Sequence, residues 1–146
     1  MGPGITTSED DRGVRIVAGV IRNGNGEVLL VRKAKTEAFM QPGGKRSRDE
    51  TDLETLSREL REELGCMIDV GTAIHLGSFE APAANEPGWI VQAEIYDVEV
   101  IGVPAAGAEI AELIWVDPSA IPAIALAPLT RDHVLPLAER LGQGRP

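Results

Sequence analysis

The sequence predicts an α/β domain in which a mixed β-sheet lies between helices. Three observations carry that expectation. Segments rich in β-branched residues alternate along the chain with segments of helical periodicity. Two of the helical segments are amphipathic: 51–64 carries leucines at spacings of three and four, and 130–141 groups Val134, Leu137, Ala138 and Leu141 on one side. At 146 residues, 43% hydrophobic and 25% charged, the chain can bury one ordinary core and is too apolar to remain unfolded.

The polar, acidic residues 1–12 are expected to form a flexible leader, and 13–146 a single domain. Residues 14–22 are rich in β-branched side chains and predict a buried strand. Asn23-Gly24-Asn25-Gly26 is a tight-turn sequence, so 28–33 is expected to be the returning strand. A polar stretch, 34–40, leads to a Pro42-Gly43-Gly44 turn. Thr51 with Glu54 forms a capping box that opens a helix over 51–64, and Gly65 stops it. A strand with an irregular start follows at 68–79, then a loop at 81–88 with Pro82 and Pro87. Residues 89–101 predict a long strand, 102–107 a loop, 113–116 a short strand and 118–128 a proline-punctuated connection. Pro136 is expected to start or bend the last helix.

Composition narrows the function. A net charge of −9 argues against polymeric nucleic acid, whose phosphates need a basic surface. No apolar run is long enough to span a membrane, and the leader lacks a basic-then-apolar signal pattern. The lone Cys66 cannot form an intramolecular disulfide and suits a reducing cytoplasm. It fills an apolar slot just past the helix, which points to a buried structural thiol.

The helix itself carries the chemistry. At 100° per residue, Glu59, Glu62 and Glu63 fall within an arc of roughly 100°, next to the stripe of Leu53, Leu56, Leu60 and Leu64. Two such charges about 5 Å apart at an effective dielectric near 20 repel by roughly 3 kcal/mol. Two readings follow: a solvated acidic face, or a site where a hard divalent cation removes the repulsion. Oxygen ligands of this kind suit Mg²⁺ or Mn²⁺. A cation would also reconcile the acidic chain with a phosphorylated substrate.

Gly44, Glu50, Arg58-Glu59-Leu60, Glu62-Glu63, Gly65 and Cys66 stand at the spacings of the Nudix box. Val17-Ala-Gly-Val-Ile-Arg-Asn23, Pro42-Gly43-Gly44-Lys45 and Trp115-Val116 extend the likeness over roughly 14–118. The chain therefore resembles the MutT-like Nudix hydrolases. That resemblance implies the Nudix α/β/α sandwich and a metal-dependent hydrolysis of a phosphoanhydride by water. It assigns Glu59, Glu62 and Glu63 both as metal ligands and as the catalytic carboxylates, with a backbone carbonyl at Gly44 or its neighbour Gly43 facing the metal. It pairs Glu50 with Arg58 to hold the loop against the helix. Glu109, six residues before Trp115, matches a carboxylate outside the box that serves as ligand or general base, with Glu112 as its competitor. Arg32, Lys33 and Lys45 are expected phosphate contacts, although Lys45 suits an ordinary surface lysine equally well. Glu94 and His75 are expected to be structural.

The implied substrate is a nucleoside diphosphate linked to a further group. The MutT-like flanks favour (deoxy)nucleoside triphosphates and a role in sanitising the nucleotide pool. Gln41 departs from MutT, which has an aromatic residue there. Pro82, sixteen residues beyond Cys66, offers the alternative of an ADP-ribose or nucleotide-sugar pyrophosphatase. A Nudix-fold isomerase is disfavoured because Cys66 is misplaced for it, and a non-catalytic sensor because every box carboxylate is kept. The expected partner is a small nucleotide, with no polymeric nucleic acid and no membrane; a homodimer is left open.

Overall fold

The computed structural model describes residues 12–143; all of the leader expected over 1–12 except Arg12 lies outside the described residues. Six strands run β1 (Gly13–Val20), β2 (Val28–Lys33), β3 (Gly43–Lys45), β4 (Met67–Pro82), β5 (Ile90–Ile101) and β6 (Ile110–Val116). Helix α1 (Asp52–Leu64) lies between β3 and β4, and α2 (Leu135–Gln143) follows a π-helical turn at Thr130–Val134. A four-stranded sheet has the order β3-β1-β5-β4, and β2 pairs with β6 in a second, two-stranded sheet. β1 runs parallel to β5 and antiparallel to β3, so the larger sheet is mixed.

Alternation along β1 and β2 builds the sandwich. Val17, Ile21, Leu29 and Val31 face one core with Leu56, Leu60 and Leu64 of α1. Ala18, Val20, Val28 and Leu30 face the other with Val134 of the π turn and Leu135 and Ala138 of α2. Strands covered by helices on both faces read as continuous apolar runs, as these two do. Each of the three helix leucines is fully buried, worth about 2 kcal/mol apiece relative to exposure. Leu53, the fourth of the expected stripe, is only half-buried.

The segment 23–26 turns as expected, but β1 and β2 do not continue as a hairpin. One antiparallel bridge, Arg22↔Val28, joins their ends. Beyond it the hydrogen-bonding edges of β1 are taken by β3 and β5, so β2 pairs with β6 instead. The glycine turn is itself a short strand, β3. The last strand extends three residues further back than 113 because β2 offers it a partner as far as Lys33↔Ile110. Pro136 sits second in α2. Proline is tolerated in the first turn of a helix, where its missing N–H costs no bond, and it follows a π turn in which the Leu135 N–H bonds the Thr130 carbonyl, five residues back. Among the described residues no helix is long and apolar enough to cross a membrane.

Candidate active site

Helix α1 is held at both ends. The Thr51 hydroxyl accepts from the Glu54 N–H at 3.2 Å and the Glu54 carboxylate accepts from the Thr51 N–H at 2.9 Å. At the other end Gly65 adopts φ 69° and its N–H bonds the Arg61 carbonyl. Two carbonyls that the last turn would leave unpaired are taken by a distant loop. Ala105 N–H donates to the Leu64 oxygen at 3.0 Å and Gly107 N–H to the Glu63 oxygen at 2.7 Å. The carboxylate-bearing turn is thus clamped against the segment leading to Glu109.

The glycine strand lies across the same turn. Gly43 has φ 143°, and a Cβ there would come 2.2 Å from the Val17 carbonyl oxygen. Its N–H donates to Glu63 Oε1 at 3.2 Å. A Cβ on Gly44 would fall 2.3 Å from the Glu59 carboxyl carbon. Only glycines let the backbone come this close to β1 on one side and to the Glu59 carboxylate on the other.

The three glutamates of the arc occupy different environments. Glu63 is 7% exposed, and burial pushes its carboxyl up to about 7 against the pull of the Gly43 N–H and Lys33. Lys33 Nζ stands 4.0 Å from it. Glu59 Oε2 accepts from Arg58 Nη1 at 2.8 Å. Glu62 is 61% exposed, 3.8 Å from the same guanidinium. Arg58 also grips Glu50 through two bonds of 3.0 Å, and the Thr55 hydroxyl donates to Glu50 at 2.9 Å. The hydrogen bonds from Arg58 and Thr55 hold the Glu50 carboxyl below its usual range. This planar donor fixes the segment before the helix to the helix surface.

Among the described residues no three His, Cys, Asp or Glu side chains are drawn together as a finished metal cage. Glu59 turns to Arg58, Glu62 to solvent and Glu63 to the Gly43 amide. The donor set nevertheless fits a hard divalent cation. All donors are oxygens, and a glycine makes room beside one carboxylate. Four carboxylates (Glu50, Glu59, Glu62 and Glu63) face two cations (Arg58 and Lys33), which leaves two negative charges to neutralise when all are ionised.

The other expected residues are divided. Arg32 is engaged by Glu112, its cross-strand neighbour, at 2.9 Å and by the Thr36 carbonyl at 2.8 Å. Both groups are therefore occupied with each other. Lys45 is exposed at the end of β3, and Glu109 is exposed where its own carbonyl accepts from Ala34 N–H. His75 and Ser78 both bond Glu94, at 2.7 Å; the serine hydroxyl donates to the carboxylate, so the trio is not set up as nucleophile and base. Cys66 is buried and its thiol is pushed up by burial, as suits a packing residue.

A cavity of about 170 Å³ opens beside this cluster, bounded by Lys33, Gly43 and Gly44 on one side and by Val14, Val91 and Leu129 on the other. Gln41 lies in its wall. Sequence reasoning treated Gln41 only as a departure from a motif; its partner Thr130 is 89 residues away, beyond any local signal.

A family model described as the NUDIX domain matches residues 13–138. The chain is 34% identical over 119 residues to an 8-oxo-dGTP diphosphatase of Haemophilus influenzae, covering 78% of this chain and 83% of the relative. Its fold is similar to the solution structure of the E. coli ORF135 protein, with a TM-score of 0.71, 28% identity, and 92% and 94% of the two chains covered. It is also similar to the MutT NUDIX hydrolase of Burkholderia pseudomallei, with a TM-score of 0.69, 21% identity, and 88% and 96% covered.

Proposed function

The chain belongs to the Nudix family as a MutT-like pyrophosphohydrolase, and on that premise we propose that it hydrolyses (deoxy)nucleoside triphosphates, damaged ones among them, to the monophosphate and pyrophosphate. The observation that carries this reading is the cavity at the glycine strand. At about 170 Å³ it is smaller than the roughly 300–1,000 Å³ of clefts that enclose a whole ligand. It therefore suits one planar ring system, with the phosphates running out past Gly43 and Gly44 toward the carboxylates. The printed activity of the Haemophilus influenzae relative supports the same class of substrate.

Nudix hydrolases generally require a divalent metal. Glu59, Glu62, Glu63 and the Gly44 carbonyl would hold it, and Mg²⁺ or Mn²⁺ suits those oxygens. When bound, such a cation offsets the charge of the polyphosphate and acidifies an attacking water. The protein groups do the rest. Lys33 and Lys45 orient the phosphate chain, and Arg58 with Glu50 keeps the helix and the glycine strand in register. Glu109 accepts the proton of the attacking water, whose oxygen bonds to phosphorus as the anhydride oxygen leaves with the pyrophosphate. Every group named comes from one chain, so this reading calls for no second subunit. A single buried thiol suits a reducing compartment, and we place the protein in the cytoplasm.

The test is product analysis with Mg²⁺ over (deoxy)nucleoside triphosphates, 8-oxo-dGTP, ADP-ribose and nucleotide sugars. Pyrophosphate released from the triphosphates is the expected result. Preferred cleavage of ADP-ribose, or no cleavage of any triphosphate, overturns it.

A further inference from the structure

Gln41 is 6% exposed, one of few buried polar residues among the described residues. Its Oε1 accepts from the Thr130 hydroxyl at 2.7 Å, at the start of the π turn leading into α2. A buried carboxamide costs free energy unless both ends are paired. Here only the oxygen is. Among the described residues Nε2 meets no acceptor, yet no buried side-chain nitrogen or oxygen is left without a partner. Both statements hold together only if Nε2 is not sealed in protein. The open space that Gln41 borders is the cavity beside the glycine strand.

We infer that Gln41 is a specificity-determining residue, whose Nε2 donates a hydrogen bond to a carbonyl oxygen of the nucleobase, and that Thr130 is the positioning residue that fixes which end of the amide faces the cavity. This rests on the reading of the site as a nucleoside triphosphate hydrolase. A glutamine that merely bridged the glycine strand to the C-terminal helix would need only its oxygen. The amide's second function is a donor held at a fixed place in a wall it shares with Val14, Val91 and Leu129, with Asn85 and Glu86 also lining the cavity. Guanine, thymine, cytosine and 8-oxoguanine each present a carbonyl oxygen; adenine has only ring nitrogens as acceptors and carries an amino donor where guanine carries O6. A donor that meets that amino group is left unpaired and is penalised, so adenine nucleotides are the ones rejected.

The experiment measures kcat/KM with Mg²⁺ for dGTP, 8-oxo-dGTP, dTTP, dCTP and dATP on the full chain and on four variants, each checked for native folding by circular dichroism. The wild type is expected to favour carbonyl-bearing bases over dATP by about 10-fold, the scale of one neutral hydrogen bond. Gln41→Leu removes the donor, and its ratio falls toward one through the Michaelis constants. Gln41→Glu replaces the donor with an acceptor, which meets adenine's amino group but repels guanine O6, and shifts the dGTP-to-dATP ratio toward dATP. Thr130→Val releases the amide orientation and narrows the ratio, whereas Thr130→Ser keeps the hydroxyl and the wild-type ratio. If Gln41→Leu does not fold, the Thr130 pair decides alone, because only a positioning role separates valine from serine in base preference. Turnover of triphosphates with the same ratio in wild type, Gln41→Leu and Thr130→Val overturns this inference and leaves the proposed function standing. No turnover of any triphosphate by the wild type overturns both.

Discussion

At the scale of single residues, neighbours on one helix have been given different electrostatic fates. Glu62 is out in solvent while Glu63 is buried against the Gly43 amide. Burial raises the Glu63 carboxyl from 4.5 to about 7, so in metal-free buffer the native state holds this proton more tightly than the unfolded chain. Its stabilising effect is complete below about 4.5 and is lost as the pH rises through about 7, a loss on the order of 3 kcal/mol. Thermal melts of the chelated protein should therefore show stability falling across that window, and Glu63→Gln should flatten the fall while removing most turnover. A wild-type melting temperature that climbs between those pH values would contradict it. Arg58 holds three carboxylates within 4 Å. Arg58→Ala should lower turnover by about 10- to 100-fold, the usual effect of losing a group that orients metal ligands. It should also lower the melting temperature by a few degrees, and calorimetry beside steady-state kinetics checks both.

At the scale of elements, the short strand β3 and helix α1 meet through two glycines that respond to the same substitution differently. Gly43→Ala forces a Cβ into a backbone oxygen at a positive φ, so denaturant melts should show a loss of more than about 1 kcal/mol. At Gly44 the obstruction is the end of a flexible glutamate. Gly44→Ala should therefore displace Glu59 and cut turnover while leaving the unfolding midpoint nearly unchanged. The loop that caps the far end of α1 through Ala105 and Gly107 carries Glu109. Because a general base acts on the proton in the transition state, Glu109→Gln should lower kcat by roughly 10²–10⁴-fold with little change in the Michaelis constant. Glu112→Gln should be comparatively mild, since that carboxylate is occupied by Arg32. Isothermal titration with Mg²⁺ separates the roles: weakened binding in Glu109→Gln would make it a ligand.

At the scale of the whole molecule, a chain of net charge −9 must handle an anionic substrate. Two uncompensated negative charges are gathered around helix α1, where a cation converts repulsion into a phosphate site. Anything that binds the native state alone raises its stability, by about 2.7 kcal/mol at a hundredfold excess over Kd. Mg²⁺ added to chelated protein should raise the melting temperature, and excess chelator should abolish turnover. Undiminished turnover in chelator would sink the metal-dependent reading.

Helix α1 was legible from the sequence because its determinants are local. The capping box spans four residues, and the leucine and glutamate faces repeat every three or four. The box spacing likewise marks Glu50, Arg58, Glu59, Glu62 and Glu63 in the sequence. Most strands were legible too, since β-branching and turn residues act over a few positions. Which strand pairs with which was not. The turn at 23–26 implied a hairpin, but β2 pairs instead with a strand some eighty residues away, because its neighbour's edges were taken by β3 and β5. The same competition engages Arg32 with Glu112. The depth of burial that separates Glu63 from Glu62, the loop over the end of α1, and the contact of Gln41 with Thr130 across 89 residues were likewise decided by tertiary structure. Periodicity gives each residue a face; only packing decides what that face meets, and the chemistry of this site depends on those meetings.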